Sequence, residues 1–183
     1  MGMDFAAASG ALSLDPALPI STSHPKPSHK PIDKTIVKRY LALVRGWPAA
    51  EGEIDQPLAR DPELPSAGQL RLAARTRWRV LQQLQLPLAT DGRHADTRLA
   101  LLLQPLSGRR HQIRRHLKAL AHPLIGDATH GKEPMNRAVE AHFGYSRLWL
   151  HALSLTLRHP ATGLPLNLRA EPGPEWAGML QAG

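Results

Sequence analysis

Residues 97–121, TRLALLLQPLSGRRHQIRRHLKALA, contain a change from one structural pattern to another. The leucine-rich segment TRLALLLQPL predicts a buried strand. After the Ser107-Gly108 pair, apolar residues recur at helical spacing: Ile113, Leu117 and Leu120. Ser107 is a candidate N-cap for this helix. The stretch therefore predicts a strand that leads into a basic amphipathic helix.

Further strand patterns lie upstream of this junction. The segment TIVKRYLALVRG (35–46) is rich in β-branched residues and is followed by a Gly46-Trp47-Pro48 turn. Residues 54–58 fit a short edge or loop piece. Residues 70–86 alternate basic and apolar positions and predict one long strand, and residues 87–95 predict a loop with its turn at Asp91-Gly92.

Downstream, HPLIGD predicts a turn with a short extended piece, and Pro134 to Phe143 a second short helix. RLWLHALSLTLRHP predicts a final strand, and PLNLRAEP its partner after a Thr162-Gly163 turn. Together these elements predict an α+β domain over residues 34–183, with a largely antiparallel sheet and flanking helices. Residues 1–33 are rich in Pro, Ser and His, and they predict a flexible arm.

Composition narrows the classes of partner. The net charge is +8 and the isoelectric point about 10.6, which favours a polyanionic partner such as a nucleic acid. The absence of cysteine excludes disulfides and thiolate-based zinc sites. No apolar run approaches the ~18 residues of a membrane span, and the N-terminus has an acidic residue where a signal peptide has basic ones. We expect a cytoplasmic protein with no membrane contact.

Arginines and histidines cluster between Ser107 and Gly131. A strand-to-helix junction also presents backbone N–H groups and the positive end of a helix dipole. The cluster is therefore either an anion site or a solvated basic helix face, and its spacing alone favours neither. The ten histidines include no H-E-x-x-H motif or compact metal set, so we expect no metal.

The same stretch resembles the RluA-like RNA pseudouridine synthases, most closely their tRNA-acting TruC branch. The family motif TGR-x-HQIR-x-H appears as SGRRHQIRRH (107–116), and HP-IIGD-x-x-HG as HPLIGDATHG (122–131). The family strand LLLHA appears as LWLHA (148–152), and K-x-Y-x-A-x-V-x-G as residues 38–46. These motifs follow the family order over residues 34 to about 177.

The resemblance implies roles for particular residues. Such enzymes flip a uridine out of the RNA, detach its base and rejoin the base through C5. Tyr40 would stack on the flipped base, Arg114 would pair with a nucleophilic aspartate, and Leu150 would form an apolar wall. The RNA-binding residues would be Arg109, His111 and Arg115, which would lie near RNA phosphate or shape the loop. No cofactor is implied, and the RNA would be tRNA in preference to rRNA.

Simpler interpretations stand beside these roles. Tyr40 could be an ordinary strand tyrosine, Leu150 a core residue and Arg114 a surface arginine. Asp127, in the IGD motif, fits a residue that fixes a turn better than an acid catalyst.

The sequence departs from the family at its nucleophile. The R-L-D-x-x-T-S-G motif that carries the aspartate does not occur, and Asp15 lacks the surrounding residues. We therefore expect a fold that is incomplete at its N-terminal side and negligible isomerase activity for this chain alone. If Arg114 is buried as in the family, we expect it to be unpartnered, with marginal stability, a changed fold at the N-terminal side, or association as the result.

Three hypotheses explain this combination. The first is a pseudouridine synthase that lost its catalytic segment through truncation, a mispredicted start or a frameshift. The second is a non-catalytic RNA-binding module, and the third is an interaction protein whose partner chain supplies the aspartate.

Overall fold

The computed structural model describes residues 36–88, 97–99 and 101–181. Its strands are β1 (Val37–Ala42), β2 (Glu51–Asp55), β3 (Leu58–Ala59), β4 (Arg71–Leu72), β5 (Arg75–Arg79), β6 (Leu84–Leu86), β7 (Thr97–Leu99), β8 (Leu101–Pro105), β9 (Leu150–Arg158) and β10 (Pro165–Arg169). Its helices are α1 (Gln112–Ala119), α2 (Glu133–Phe143) and α3 (Pro174–Gln181).

Six strands form one sheet in the order β10-β9-β1-β8-β5-β2, and each neighbouring pair is antiparallel. The pairs β3–β4 and β6–β7 form two small separate sheets. The predicted α+β class with an antiparallel sheet and flanking helices is confirmed. Residues 54–58, predicted as a short edge or loop piece, contain the end of the edge strand β2, two connecting residues and the first residue of β3.

Strand β1 lies inside the sheet, and its end is buried on both faces. Leu41 and Leu43 belong to one core cluster, whereas Ala42 and Val44 belong to the other. Because successive side chains of a strand point to opposite faces, the two clusters lie on opposite sides of the sheet. Burial on both faces explains why residues 41–44 are all apolar instead of alternating with polar residues.

Each face of the sheet is covered by a different helix. Helix α1 packs Ile113 and Leu117 into the cluster that contains Val44. Helix α2 packs Met135 and Val139 into the other cluster, where α3 also contributes Trp176. Trp176 meets Trp149 edge to face, with ring centroids 5.1 Å apart. The sequence patterns did not predict α3.

Most local predictions agree with the observed elements. The first strand ends before Gly46, which has φ of +81°, and α2 begins one residue before the predicted Pro134. Strands β9 and β10 form the predicted hairpin, with Gly163 in its turn at φ of +69°. The extended piece in HPLIGD is a bridge between Leu124 and Val44.

Two strand predictions were wrong in their extent. Residues 70–86 form three strands, β4, β5 and β6, because each pairs with a different partner: β3 for β4, β2 and β8 for β5, and β7 for β6. The segment TRLALLLQPL divides into β7 and β8, which belong to different sheets. Periodicity reports which residues can form strands, but it does not report their partners.

The Ser107 N-cap prediction was also wrong. Helix α1 begins at Gln112, with His111 at the N-cap position in a left-handed conformation. The Ser107 hydroxyl instead donates to Gln112 Oε1 and accepts from the backbone N–H of Arg75. Residues 108–111 therefore form a short loop between β8 and α1.

The predicted arm (residues 1–33) and the Asp91-Gly92 turn lie outside the described residues. Among the helices that the structure describes, none has the length and apolar character needed to cross a membrane.

A substitution at Gly126 tests the packing around the IGD turn. It has φ of +72°, and an added Cβ would lie 1.7 Å from the carbonyl oxygen of Arg147. Gly144 has φ of +77° but open space around it, so it is a matched control. We expect Gly144→Ala to cost about 1–2 kcal/mol through its backbone conformation alone. Gly126→Ala should cost about 1–3 kcal/mol more, because backbone atoms must move.

Thermal unfolding measures this difference, since 1 kcal/mol shifts the melting temperature of a domain this size by about 2–4 °C. Equal melting temperatures for the two variants would contradict the observed contact between Gly126 and Arg147.

Candidate nucleic-acid interface

A cavity of about 350 Å³ opens between the sheet and the N-terminal end of α1. Strand β1 provides its floor, the β8–α1 loop one wall, and the start of β9 the other. Its lining residues are Lys38, Tyr40, Pro105, Ser107, Gly108, Arg109, His111, Gln112, Ile113, Arg114, Leu148 and Leu150. The volume lies within the range of ligand pockets, roughly 300–1,000 Å³.

Five of the six predicted site residues line this one cavity: Tyr40, Arg109, His111, Arg114 and Leu150. They come from three parts of the chain, and the antiparallel pairing of β1 with β9 brings Tyr40 opposite Ala152, near the start of β9. The sixth, Arg115, is not among the lining residues. Its Nη1 donates a 2.8 Å hydrogen bond to the carbonyl oxygen of Ala59, so it ties β3 to α1.

Arg114 is held by a buried aspartate from the IGD turn. Its Nε donates to Asp127 Oδ2 at 2.7 Å, and its Nη2 donates to Oδ1 at 2.8 Å. The Asp127 side chain has no exposed surface, and that of Arg114 is 18% exposed. A planar two-point contact of this kind fixes the orientation of the guanidinium group.

Asp127 also closes its own turn. Its Oδ1 accepts the backbone N–H groups of Thr129 at 2.9 Å and His130 at 2.8 Å. Burial alone would raise the pKa of the Asp127 carboxyl, but hydrogen bonds from Arg114 and these N–H groups, with the Arg114 charge, hold it below its usual value. Asp127 is therefore ionised and fully engaged, which suits a structural anchor and not a proton donor.

The expectation that Arg114 would be unpartnered is therefore wrong. The sequence motifs paired Arg114 with the missing nucleophile, a surface arginine being the alternative, and they indicated that Asp127 fixes a turn. The structure brings the two together because the turn after Leu124 returns beside α1. Asp127 uses Arg114 Nε and one hydrogen of Nη2, so, among the residues that the structure describes, Nη1 remains for another acceptor.

Two histidines stand close to this ion pair. His111 and His130 meet edge to face with ring centroids 5.9 Å apart. Burial, then the positive charges of Arg114 and Arg110, lower the pKa of His111. Burial is also the largest cause that lowers the pKa of His130. Both rings are consequently neutral near pH 7, and they add no positive charge to that of Arg114.

The remaining positive charge at the cavity comes from Lys38 and Arg109. The Lys38 ammonium lies beside Gly108, where an added Cβ would be 3.1 Å from Nζ. Arg109 Nε donates to the carbonyl oxygen of Ala73 at 3.0 Å. Because a carbonyl group has no net charge, this bond does not neutralise the guanidinium. Arg110, in contrast, forms ion pairs with Asp61 and Glu63.

Sequence reasoning missed several residues of this region. Lys38 and Gln112 belong to the quoted motifs, so the sequence could have indicated them as site residues. Thr76 is buried and bonded to Gln112, but it lies 36 positions away and no sequence pattern connects the two.

A second cavity, of about 560 Å³, lies beyond the IGD turn between α2 and residues 145–149. None of the predicted site residues lines it, although Asp127 borders it. Size therefore does not identify the site, and the convergence of motif side chains favours the smaller cavity. Across residues 36–88, 97–99 and 101–181, no three histidine, aspartate or glutamate side chains group as metal ligands would.

Comparison with known proteins identifies the chain's relatives. The model of the RNA pseudouridylate synthase family matches residues 23–119, more than half of the chain. The chain belongs to this family. The resemblance inferred from the motifs is thereby confirmed.

Relatives named tRNA pseudouridine synthase C match most of the chain. The Vibrio cholerae protein is 40% identical over 149 residues, covering 78% of this chain and 61% of that protein. The Yersinia pestis protein is 39% identical over 151 residues, covering 79% and 58% respectively. The chain thus spans about three fifths of the length of these relatives.

Solved structures of family members share the fold. Human RNA pseudouridylate synthase domain containing 1 superposes with a TM-score of 0.59 at 25% identity, covering 75% of this chain and 55% of that one. Human RNA pseudouridylate synthase domain containing 4 gives a TM-score of 0.54 at 23% identity, covering 80% and 62%.

The Arg114–Asp127 pair should govern stability in a pH-dependent way. Asp127→Asn leaves a largely buried guanidinium without its anion, which costs about 3 kcal/mol and should lower the melting temperature at pH 7 by roughly 6–12 °C. The folded-state pKa of Asp127 is lowered, so its contribution is present above the unfolded value of about 3.9 and is lost as the pH falls through the folded value. The melting temperatures of the two proteins should therefore differ by a constant amount above the unfolded value of about 3.9 and begin to converge only as the pH falls below it.

Asp61→Asn is the control, because that side chain forms an exposed ion pair worth at most about 1 kcal/mol. A loss of stability in Asp127→Asn no greater than in Asp61→Asn would contradict an anchoring role.

Proposed function

We propose that this chain binds RNA at the cavity beside Tyr40 and Arg114, and that it forms the uridine-holding part of a pseudouridine synthase site. The observation that carries this proposal is the convergence of five motif side chains on one cavity within a chain of this family. Neither a solvated helix face nor a plain core would bring these side chains together.

The lining suits a nucleotide that has left its stack. A tyrosine ring can stack on a base, and Leu148, Leu150 and Ile113 offer apolar contact to its edges. Lys38 and Arg109 carry charges that attract phosphate oxygens. An apolar and aromatic lining with a few cations at its mouth is the combination that a flipped nucleotide requires.

Arg114 is the residue we assign to the reacting centre. Asp127 fixes its guanidinium and leaves Nη1 available, so the group can donate to a carboxylate or a uracil oxygen without reorientation. Tyr40, Arg114 and Leu150 are thus our candidates for contact with the base, and Arg109 and His111 for contact with the RNA backbone. We withdraw Arg115 from the direct contacts, because it binds Ala59.

Isomerisation needs an attacking carboxylate, and the described residues that line the cavity include no Asp or Glu. We therefore propose that the chain by itself holds the uridine without detaching its base. The second candidate function, a non-catalytic RNA-binding module, is favoured by the same observation.

The names of the Vibrio cholerae and Yersinia pestis relatives support tRNA as the substrate in preference to rRNA. We also propose that the protein acts in the cytoplasm, where tRNA is found. We further propose that the complete synthase site needs no cofactor.

RNA binding tests the proposal directly. Fluorescence anisotropy with a tRNA transcript at several salt concentrations should show binding that weakens steeply with salt. Arg109→Ala should weaken binding about tenfold and lower the salt slope by about one, because one phosphate contact is lost. Tyr40→Leu should weaken binding about fivefold or more and leave the slope unchanged, because stacking is uncharged.

Arg137→Ala is the matched control: it also removes one positive charge, but from the exposed surface of α2. Equal effects of Arg109→Ala and Arg137→Ala would mean that charge alone drives binding and that the cavity is not the RNA site. Tighter binding of an rRNA hairpin than of tRNA would overturn the choice of substrate.

A further inference from the structure

Three buried polar side chains lie behind the cavity wall: Gln112, Thr76 and His116. Their exposed fractions are 4%, 1% and 0%. They come from α1 and β5, and His116 also reaches the chain after β2 through the carbonyl oxygen of Gln56. Buried polar groups without partners are costly, so the bonding of these three must be nearly complete.

Two backbone groups determine how the Gln112 amide is oriented. Its Oε1 accepts the backbone N–H of Arg109 at 3.1 Å, and its Nε2 donates to the carbonyl oxygen of Arg75 at 2.8 Å. In the reversed orientation, the amide NH₂ would face the N–H of Arg109 and the amide oxygen would face the carbonyl oxygen of Arg75, so neither hydrogen bond could form. The second Nε2 hydrogen then donates to Thr76 Oγ1 at 2.9 Å.

His116 determines the direction of the next bond. Its Nε2 lies 3.0 Å from the carbonyl oxygen of Gln56, which can only accept, so Nε2 carries a hydrogen. Its Nδ1 lies 2.9 Å from Thr76 Oγ1. In a neutral ring Nδ1 then carries no hydrogen, so the Thr76 hydroxyl, while accepting from Gln112, donates its own hydrogen to Nδ1. The neutral ring with hydrogen on Nε2 is the form that satisfies every atom.

The other end of this chain of bonds is the loop between β8 and α1. Gln112 Oε1 also accepts from the Ser107 hydroxyl at 2.7 Å, so one amide holds both Ser107 and Arg109. The same loop ends at His111, whose φ of +53° is uncommon for a residue with a side chain. Such conformations persist where the surrounding contacts impose them.

We propose that Gln112, Thr76 and His116 are positioning residues for the RNA-binding loop Ser107–His111. They act through a one-way hydrogen-bond chain that starts at the loop and ends at the carbonyl oxygen of Gln56. The link to RNA rests on the proposed function, whereas the control of the loop does not.

The chemistry of His116 agrees with this arrangement. A proton on Nδ1 would deprive the Thr76 hydroxyl of its acceptor and leave a buried donor unpaired. Burial is the largest cause that lowers the pKa of His116, and the charge of Arg115 adds to it. The bond to Gln56 and the charge of Asp55 oppose that shift without reversing it.

The first test uses the unmodified chain. Long-range ¹H–¹⁵N NMR spectra of the His116 ring at pH 7 should show a neutral imidazole with its hydrogen on Nε2. A ring with its hydrogen on Nδ1, or a charged ring, would overturn the proposal without any variant or any RNA.

The second test removes the middle hydroxyl. Thr76→Val keeps the shape of the side chain and breaks the chain of bonds. We expect the Arg109 amide to exchange its hydrogen about tenfold faster and tRNA to bind about tenfold more weakly, which is the worth of one buried hydrogen bond. Thr76→Ser retains a hydroxyl and should restore both values to within about twofold.

Thr156→Val is the control, because it removes a threonine hydroxyl from the same sheet on β9, three strands from β5. A purely structural role would lower the melting temperature of Thr76→Val and leave the Arg109 amide unchanged, and that result would overturn the proposal. If the unmodified chain binds no tRNA, the proposed function fails, while the ring tautomer and the amide exchange still decide whether the loop is positioned in this way.

Discussion

The contact between Arg114 and Asp127 is the constraint on which the site depends. A guanidinium group held at two points by a carboxylate without exposed surface has one orientation. The same carboxylate accepts two backbone N–H groups, so it also determines the path of the IGD turn. Gly126, next to it, leaves no room for a side chain against Arg147. One ion pair thus couples the turn, the helix α1 and the cavity wall.

The ion pair and Tyr40 lie at the same cavity because successive side chains of β1 point to opposite faces of the sheet. Tyr40 is followed at two-residue spacing by Ala42 and Val44, and all three face α1. The intervening Leu41 and Leu43 are buried on the opposite face with α2. A slip of one residue in the pairing of β1 would exchange these faces and remove the tyrosine from the cavity. Core packing and site geometry are therefore determined by the same register.

Sequence patterns predicted much of this arrangement, and their failures share a cause. The α1 helix and the β9–β10 hairpin follow from periodicity and turn residues, whereas five of the cavity residues follow from the resemblance to the family motifs. The division of residues 70–86 into three strands, the hydroxyl contacts of Ser107 and the partner of Arg114 depend on which distant segments meet. Thr76 is the clearest case, because no local pattern marks a threonine in an alternating strand as the partner of Gln112. Local propensity identifies candidates, and tertiary pairing selects among them.

We propose that Asp127 anchors Arg114 and does not react, and that this chain alone holds a uridine without isomerising it. Tritium release from a tRNA transcript with 5-tritiated uridine tests this most directly, because rejoining the base through C5 expels that hydrogen. With the tRNA bound at saturation, we expect no release above background from the chain alone. Release that disappears in Arg114→Ala would contradict the claim, since it would mean that a carboxylate of this chain attacks the nucleoside.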